Sequence, residues 1–138
     1  MRLALAQINP VVGDLDGNRA AILRRLAEAK DAGADIALFP ELAVTGYPPE
    51  DLLLRPGFVR AAEASLEQIA REARGIVAVV GTPYFDRDLF NAAAVCAGGE
   101  VKTFVKKRFL PNYGVFDEFR YFAPGSGGRR RASARPPR

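Results

Sequence analysis

The sequence predicts an α/β layered fold in which a parallel strand–helix–strand unit is followed by an antiparallel hairpin. Three observations predict it. Two short apolar segments, each closed by a proline, flank an amphipathic helix; a second amphipathic helix leads into the most β-branched segment of the chain; and a Gly-Gly pair separates two extended runs.

The first apolar segment, Leu3 to Ile8, is short and ends at Asn9-Pro10, which suits a buried strand better than a helix. Asn18 is placed to cap a helix running to about Ala32, with Ile22, Leu26 and Ala29 on its apolar face. Gly33 marks its stop. Asp35 to Phe39 reads as a second buried strand ended by Pro40, which completes a βαβ unit. Beyond the loop from Glu41 to Pro49 come a helical turn, Glu50 to Leu54, and a helix from past Pro56 to about Arg74. Its Phe58, Ala62, Leu66, Ile69 and Ala73 make one apolar stripe. Ile76 to Val80 is then the best strand candidate, and Phe90 to Ala97 and Val101 to Lys106 flank Gly98-Gly99, a pair suited to a tight primed turn.

At 138 residues, 49% of them hydrophobic and 26% charged, the chain fits one globular domain. The net charge of +4 misleads, because five of the 20 basic residues are arginines in the last ten positions. The preceding stretch carries 15 basic against 16 acidic side chains, so nucleic acid is disfavoured as a partner of the body. The absence of histidine excludes Ser-His-Asp and Cys-His catalysis and His-ligated zinc from this chain alone, and no metal site is expected. A single cysteine excludes an internal disulfide and fits a reducing compartment. No stretch approaches the ~20 apolar residues that span a bilayer, so the expectation is a cytoplasmic protein with no membrane partner.

Four features carry potential chemistry. Glu41 directly follows a strand, where α/β folds place ligand-handling groups; it reads either as a general base or as an exposed loop carboxylate. In Lys106-Lys107-Arg108, alternation turns Lys107 inward with Val105 and Phe109, where an amine needs a carboxylate partner; a solvated edge cluster is the competing reading. The aromatic stretch from Pro111 to Phe122 is suited to packing over something. Cys96, among small apolar residues in a hairpin strand, reads as an inert core thiol.

Three blocks tie these features together: Leu5-Ala6-Gln7-Ile8-Asn9-Pro10 with Val12-Gly13-Asp14-Leu15; Phe39-Pro40-Glu41-Leu42 with Thr45-Gly46-Tyr47-Pro48-Pro49-Glu50-Asp51-Leu52-Leu53; and Lys107-Arg108-Phe109-Leu110-Pro111-Asn112-Tyr113-Gly114-Val115-Phe116-Asp117-Glu118. Over residues 1–126 the chain resembles the nitrilase (carbon-nitrogen hydrolase) superfamily, and within it the N-terminal glutaminase domains of glutamine-dependent NAD⁺ synthetases. The resemblance implies part of an αββα sandwich and a Glu-Lys-Cys triad that hydrolyses glutamine and passes ammonia to a separate synthetase domain. It casts Glu41 as general base, Lys107 as the cation on the tetrahedral intermediate, Glu118 as the carboxylate orienting the lysine, and Tyr47 and Tyr113 as glutamine-pocket residues. It assigns no cofactor to this chain, places ATP and Mg²⁺ in the synthetase domain, and implies homo-oligomers in the intact family.

The family nucleophile stands in a Cys-Glu-Asp context beyond the matched region, and this sequence reaches Arg138 without one. Cys96 falls on the wrong strand. The expectation is therefore an N-terminal fragment of the domain over 1–126, inactive alone, and a disordered basic tail over 127–138, out of frame from Gly128. Two alternatives stay open: another nitrilase-branch amidase, and a non-catalytic nitrilase-like binding module with a nucleic-acid-binding basic arm.

Overall fold

Strands pair in chain order: β1 (Leu3–Leu5), β2 (Ile36–Leu38), β3 (Val77–Asp86), β4 (Asp88–Ala97), β5 (Glu100–Lys106) and the two-residue β6 (Arg130–Arg131) form one sheet. The structure, a computed structural model, describes residues 1–126 and the backbone of Arg130 and Arg131. β1, β2 and β3 are parallel, and β3, β4 and β5 antiparallel, as the βαβ-then-hairpin reading predicts. Two residues of the basic tail are described. Arg130 and Arg131 pair with Phe104 and Thr103, because the outer edge of β5 offers unpaired backbone groups to any extended segment beside it. The rest of the expected tail lies outside the described residues.

The helices α1 (Leu15–Asp31) and α2 (Phe58–Glu72) cover one face of the sheet. Ile22, Leu26, Leu66 and Ile69 pack there against Ala37, Ala78, Val80, Ala94 and Cys96. Burying these apolar surfaces between helix and sheet supplies the main stabilisation. Side-chain alternation and the strand register put Leu3, Leu5, Val79, Ala93 and Val105 on the opposite face. Leu5 remains 69% and Val105 56% exposed, so this face carries no second layer among the described residues. The molecule is thus a partial αββα sandwich. No helix among the described residues is long and apolar enough to cross a membrane.

Three local expectations are corrected. β1 is not buried: it is an edge strand on the uncovered face, so only Ala4 of its three residues packs inward. Helix α1 is capped by Asp14, whose carboxylate accepts from the Gly17 N–H at 2.9 Å, rather than by Asn18. Asn18 is buried in the first turn instead, where its amide binds both backbone groups of Val11 at 2.8 Å and the Val44 carbonyl at 3.1 Å. It fastens the loops after β1 and β2 to each other. Finally, β3 does not stop at Val80 but runs to Asp86 and turns back through Arg87. Pro83 is tolerated inside it because β2 ends at Leu38, opposite Val79, and Pro83 has no β2 residue to bond.

Candidate active site

Glu41 stands just beyond the end of β2. Phe39 still bonds to β3 through the Val79 carbonyl at 2.9 Å, Pro40 then ends the strand, and Leu42 turns the chain with φ 48°. This turn rests directly on β3 at Gly81, where an added Cβ would lie 2.3 Å from the Pro40 oxygen and 2.4 Å from the Leu42 nitrogen. Lys107 comes at the end of β5, its N–H bonded to the Asn91 carbonyl and its own carbonyl accepting from Gly125, both at 2.8 Å. Glu118 opens a short 3₁₀ turn, Glu118–Arg120, at the end of the aromatic stretch.

Three distant segments therefore meet at one ammonium. Lys107 Nζ lies 2.6 Å from Glu41 Oε1 and 3.0 Å from Glu118 Oε1. The Glu118 side chain is only 6% exposed, and it also accepts from the Tyr47 hydroxyl at 3.0 Å. Burial works against the charged Lys107, but its hydrogen bonds to Glu41 and Glu118 outweigh that and hold its pKa above the ordinary lysine value. Burial and the Glu118 hydrogen bond push the Tyr47 phenol well above its usual range, so it stays a neutral donor.

Lys107 meets its carboxylate partners on the uncovered sheet face, and the expected inward grouping with Val105 and Phe109 does not form, because both of those side chains are exposed. The neighbouring Lys106 goes to the helix-covered side, 3.1 Å from Asp86 and over the Phe90 ring at 3.7 Å. Tyr113 is not in the cluster: it is exposed, edge-on to Phe116 at 5.6 Å, and Phe116 in turn lies 6.4 Å from Tyr47. An open groove of about 330 Å³, floored by Val79, Gly81, Ala93 and Val105, leads along the uncovered sheet face to Glu41 and Lys107. A carboxylate and an ammonium at such a groove can move a proton and stabilise developing negative charge.

Sequence reading missed Asn91. Its side-chain nitrogen donates to Glu41 Oε1 at 2.6 Å and to Glu118 Oε2 at 3.4 Å. The available signal was a lone amide in an otherwise apolar strand, since a buried amide must find partners.

Cys96 cannot join this cluster. It lies five residues from Asn91 on β4, hence on the opposite face, and is fully buried in the helix-facing core. Burial pushes its thiol pKa up to about 12. Thiol labelling of the native chain at pH 7 is accordingly expected to be negligible over hours and stoichiometric in denaturant; rapid native labelling would contradict this placement.

Sheet order, helix placement and a glutamate–lysine pair beyond the strand ends define an α/β layer of the nitrilase-like αββα sandwich. The chain belongs to the carbon-nitrogen hydrolase family, whose model matches residues 2–132. It is 49% identical over 127 residues to the glutamine-dependent NAD⁺ synthetase of Aquifex aeolicus, a match covering 91% of this chain and 22% of that protein. It superposes with a TM-score of 0.87 on the crystal structure of a glutamine-dependent NAD⁺ synthetase from Cytophaga hutchinsonii, at 33% identity over 92% of this chain and 22% of that one. An amidase variant from Nesterenkonia sp. AN1, with acrylamide added at its active-site cysteine, matches with a TM-score of 0.77 at 30% identity, over 91% of this chain and 50% of that one. The chain thus spans about a fifth of the length of the synthetases it matches.

Proposed function

We propose that this chain supplies the base and the cation of a glutamine amidohydrolase site of the NAD⁺ synthetase kind. The observation that carries the proposal is the single Lys107 ammonium held between Glu41 and Glu118 beside an open groove. In the reaction, Glu41 takes the proton from an attacking thiol, and the thiolate adds to the side-chain amide carbon of glutamine. Lys107 faces the oxyanion that forms, ammonia leaves with the proton returned by Glu41, and water releases glutamate from the thioester. Glu118, itself bonded by the Tyr47 hydroxyl, holds Lys107 in place, and Tyr113, exposed beside Phe116, is the second tyrosine this reading assigns to glutamine.

The thiol itself comes from outside this sequence, because its one cysteine faces the helices. On this reading the chain alone releases no ammonia from glutamine. The reaction draws on no ATP or Mg²⁺; those belong to the synthetase domain that consumes the ammonia.

The test replaces the matching segment of the Aquifex aeolicus synthetase with residues 1–126 of this chain. The chimera is expected to make NAD⁺ with glutamine as well as with ammonium, and Glu41→Gln to cut the glutamine-dependent rate by a factor of ~10²–10⁴ while sparing the ammonium-dependent one. A chimera that uses ammonium normally and glutamine not at all sinks the proposal.

A further inference from the structure

We propose that Asn91 is a positioning residue that fixes which oxygen of Glu41 receives the proton. The inference rests on the reading of Glu41 as a base, and it begins with charge. Glu41 and Glu118 bring two negative charges and Lys107 one positive, and among the described residues no second cation pairs with either carboxylate, Lys106 being held by Asp86 on the other side of the sheet. The lone pairs of the buried Glu118 carboxylate that Lys107 does not meet need neutral donors. Tyr47 meets one on Glu118. Asn91 meets Glu118 Oε2 and adds a second donor to Glu41 Oε1, both from a single nitrogen.

Asn91 can do this rigidly. It is 3% exposed and lies inside β4, opposite Pro83, whereas Glu41 is half exposed on a loop. The amide therefore ties a half-exposed loop carboxylate to the sheet. Glu41 Oε1 is occupied twice, by Lys107 and by Asn91, both at 2.6 Å. Glu41 Oε2 has no hydrogen bond among the described residues, which leaves it as the oxygen that accepts the proton. An amide fits this position: an aspartate would add a third negative charge and no donor, and a leucine would leave the buried Glu118 Oε2 unmet and Glu41 untied to β4.

The deciding experiment is ¹⁵N NMR of the full chain. The Asn91 side-chain NH₂ resonances, identified by their loss in Asn91→Ser, are expected to move with pH and to lose most of that movement in Glu41→Gln. Resonances that do not move with pH, or that move equally in Glu41→Gln, overturn the proposal. In the chimera, Asn91→Ser is expected to lower kcat with glutamine at least tenfold while leaving the glutamine KM within twofold and the ammonium-dependent rate unchanged. An active chimera whose kcat ignores Asn91→Ser also overturns it. If the chimera has no glutaminase activity, the functional reading fails by itself, and the NMR titration still decides whether Asn91 holds Glu41.

Discussion

Lys107→Met is expected to lower the unfolding free energy by about 3 kcal/mol, the lower end of the range for breaking a buried ion pair, because Lys107 keeps 29% of its side chain exposed. The loss falls on the partner it leaves behind. Glu118, 6% exposed, would face Glu41 with no cation between them, and repulsion would add to the unmet desolvation. Denaturant midpoints measure the effect, and a change below 1 kcal/mol would show that the cluster does not hold these segments together. Lys107→Arg should recover only part of the loss, since a planar guanidinium cannot place one nitrogen against two carboxylates as a point-like ammonium does. The same contacts set an alkaline limit. Because the folded Lys107 pKa is raised, its contribution is fully present below the ordinary value of 10.5 and is lost as pH rises through the higher folded value. Tyr47 acts in the same direction: its phenol ionises at about its ordinary 10.0 when unfolded but resists ionisation when folded, so stability again falls above that pH. The wild-type chain should therefore weaken steeply above pH 10, and Lys107→Met less so.

Much of this arrangement is legible in the sequence where a local rule governs. Pro40 stops β2, so Glu41 had to stand beyond a strand end, and Gly98 and Gly99, with φ of 63° and 85°, form the primed turn their identity predicts. Ala62, Leu66, Ile69 and Ala73 of the apolar stripe do face the core, and Phe58 packs with the smaller cluster around Leu42. What escapes is what no local signal marks. Arg87 takes φ 64° without being glycine or asparagine, so the β3–β4 turn is invisible, and Pro83 argues against the strand that contains it. Asp14 caps the helix, and Asn18, already inside its first turn, makes its contacts with Val11 and Val44 across a loop that no local pattern marks. Asn91 lies 50 residues from Glu41 and 27 from Glu118, and only the folded register brings the three together.

Gly81→Ala is expected to be as disruptive as Lys107→Met, at about 3 kcal/mol, for a reason of space alone. Gly57 provides the contrast: its φ of 89° makes an alanine strained, yet nothing lies within 4 Å of the added Cβ. There the cost should be only about 1 kcal/mol. At Gly81 the backbone suits any residue, but the Cβ would enter the Pro40 oxygen at 2.3 Å and the Leu42 nitrogen at 2.4 Å. These are backbone atoms, so no rotamer change relieves the clash. Nor can the loop slide freely, because Leu42, Val44 and Thr45 are fully buried and the Val44 N–H is bonded to the Gly81 carbonyl at 3.1 Å. The remaining response is for the Pro40–Leu42 segment to lift from β3, which carries Glu41 away from Lys107 and Asn91. Gly81→Ala should therefore abolish the dependence of the Asn91 amide resonances on Glu41 even where the chain stays folded, whereas Gly57→Ala should leave it intact. A stable Gly81→Ala chain with that dependence preserved would mean that contact with β3 does not position Glu41.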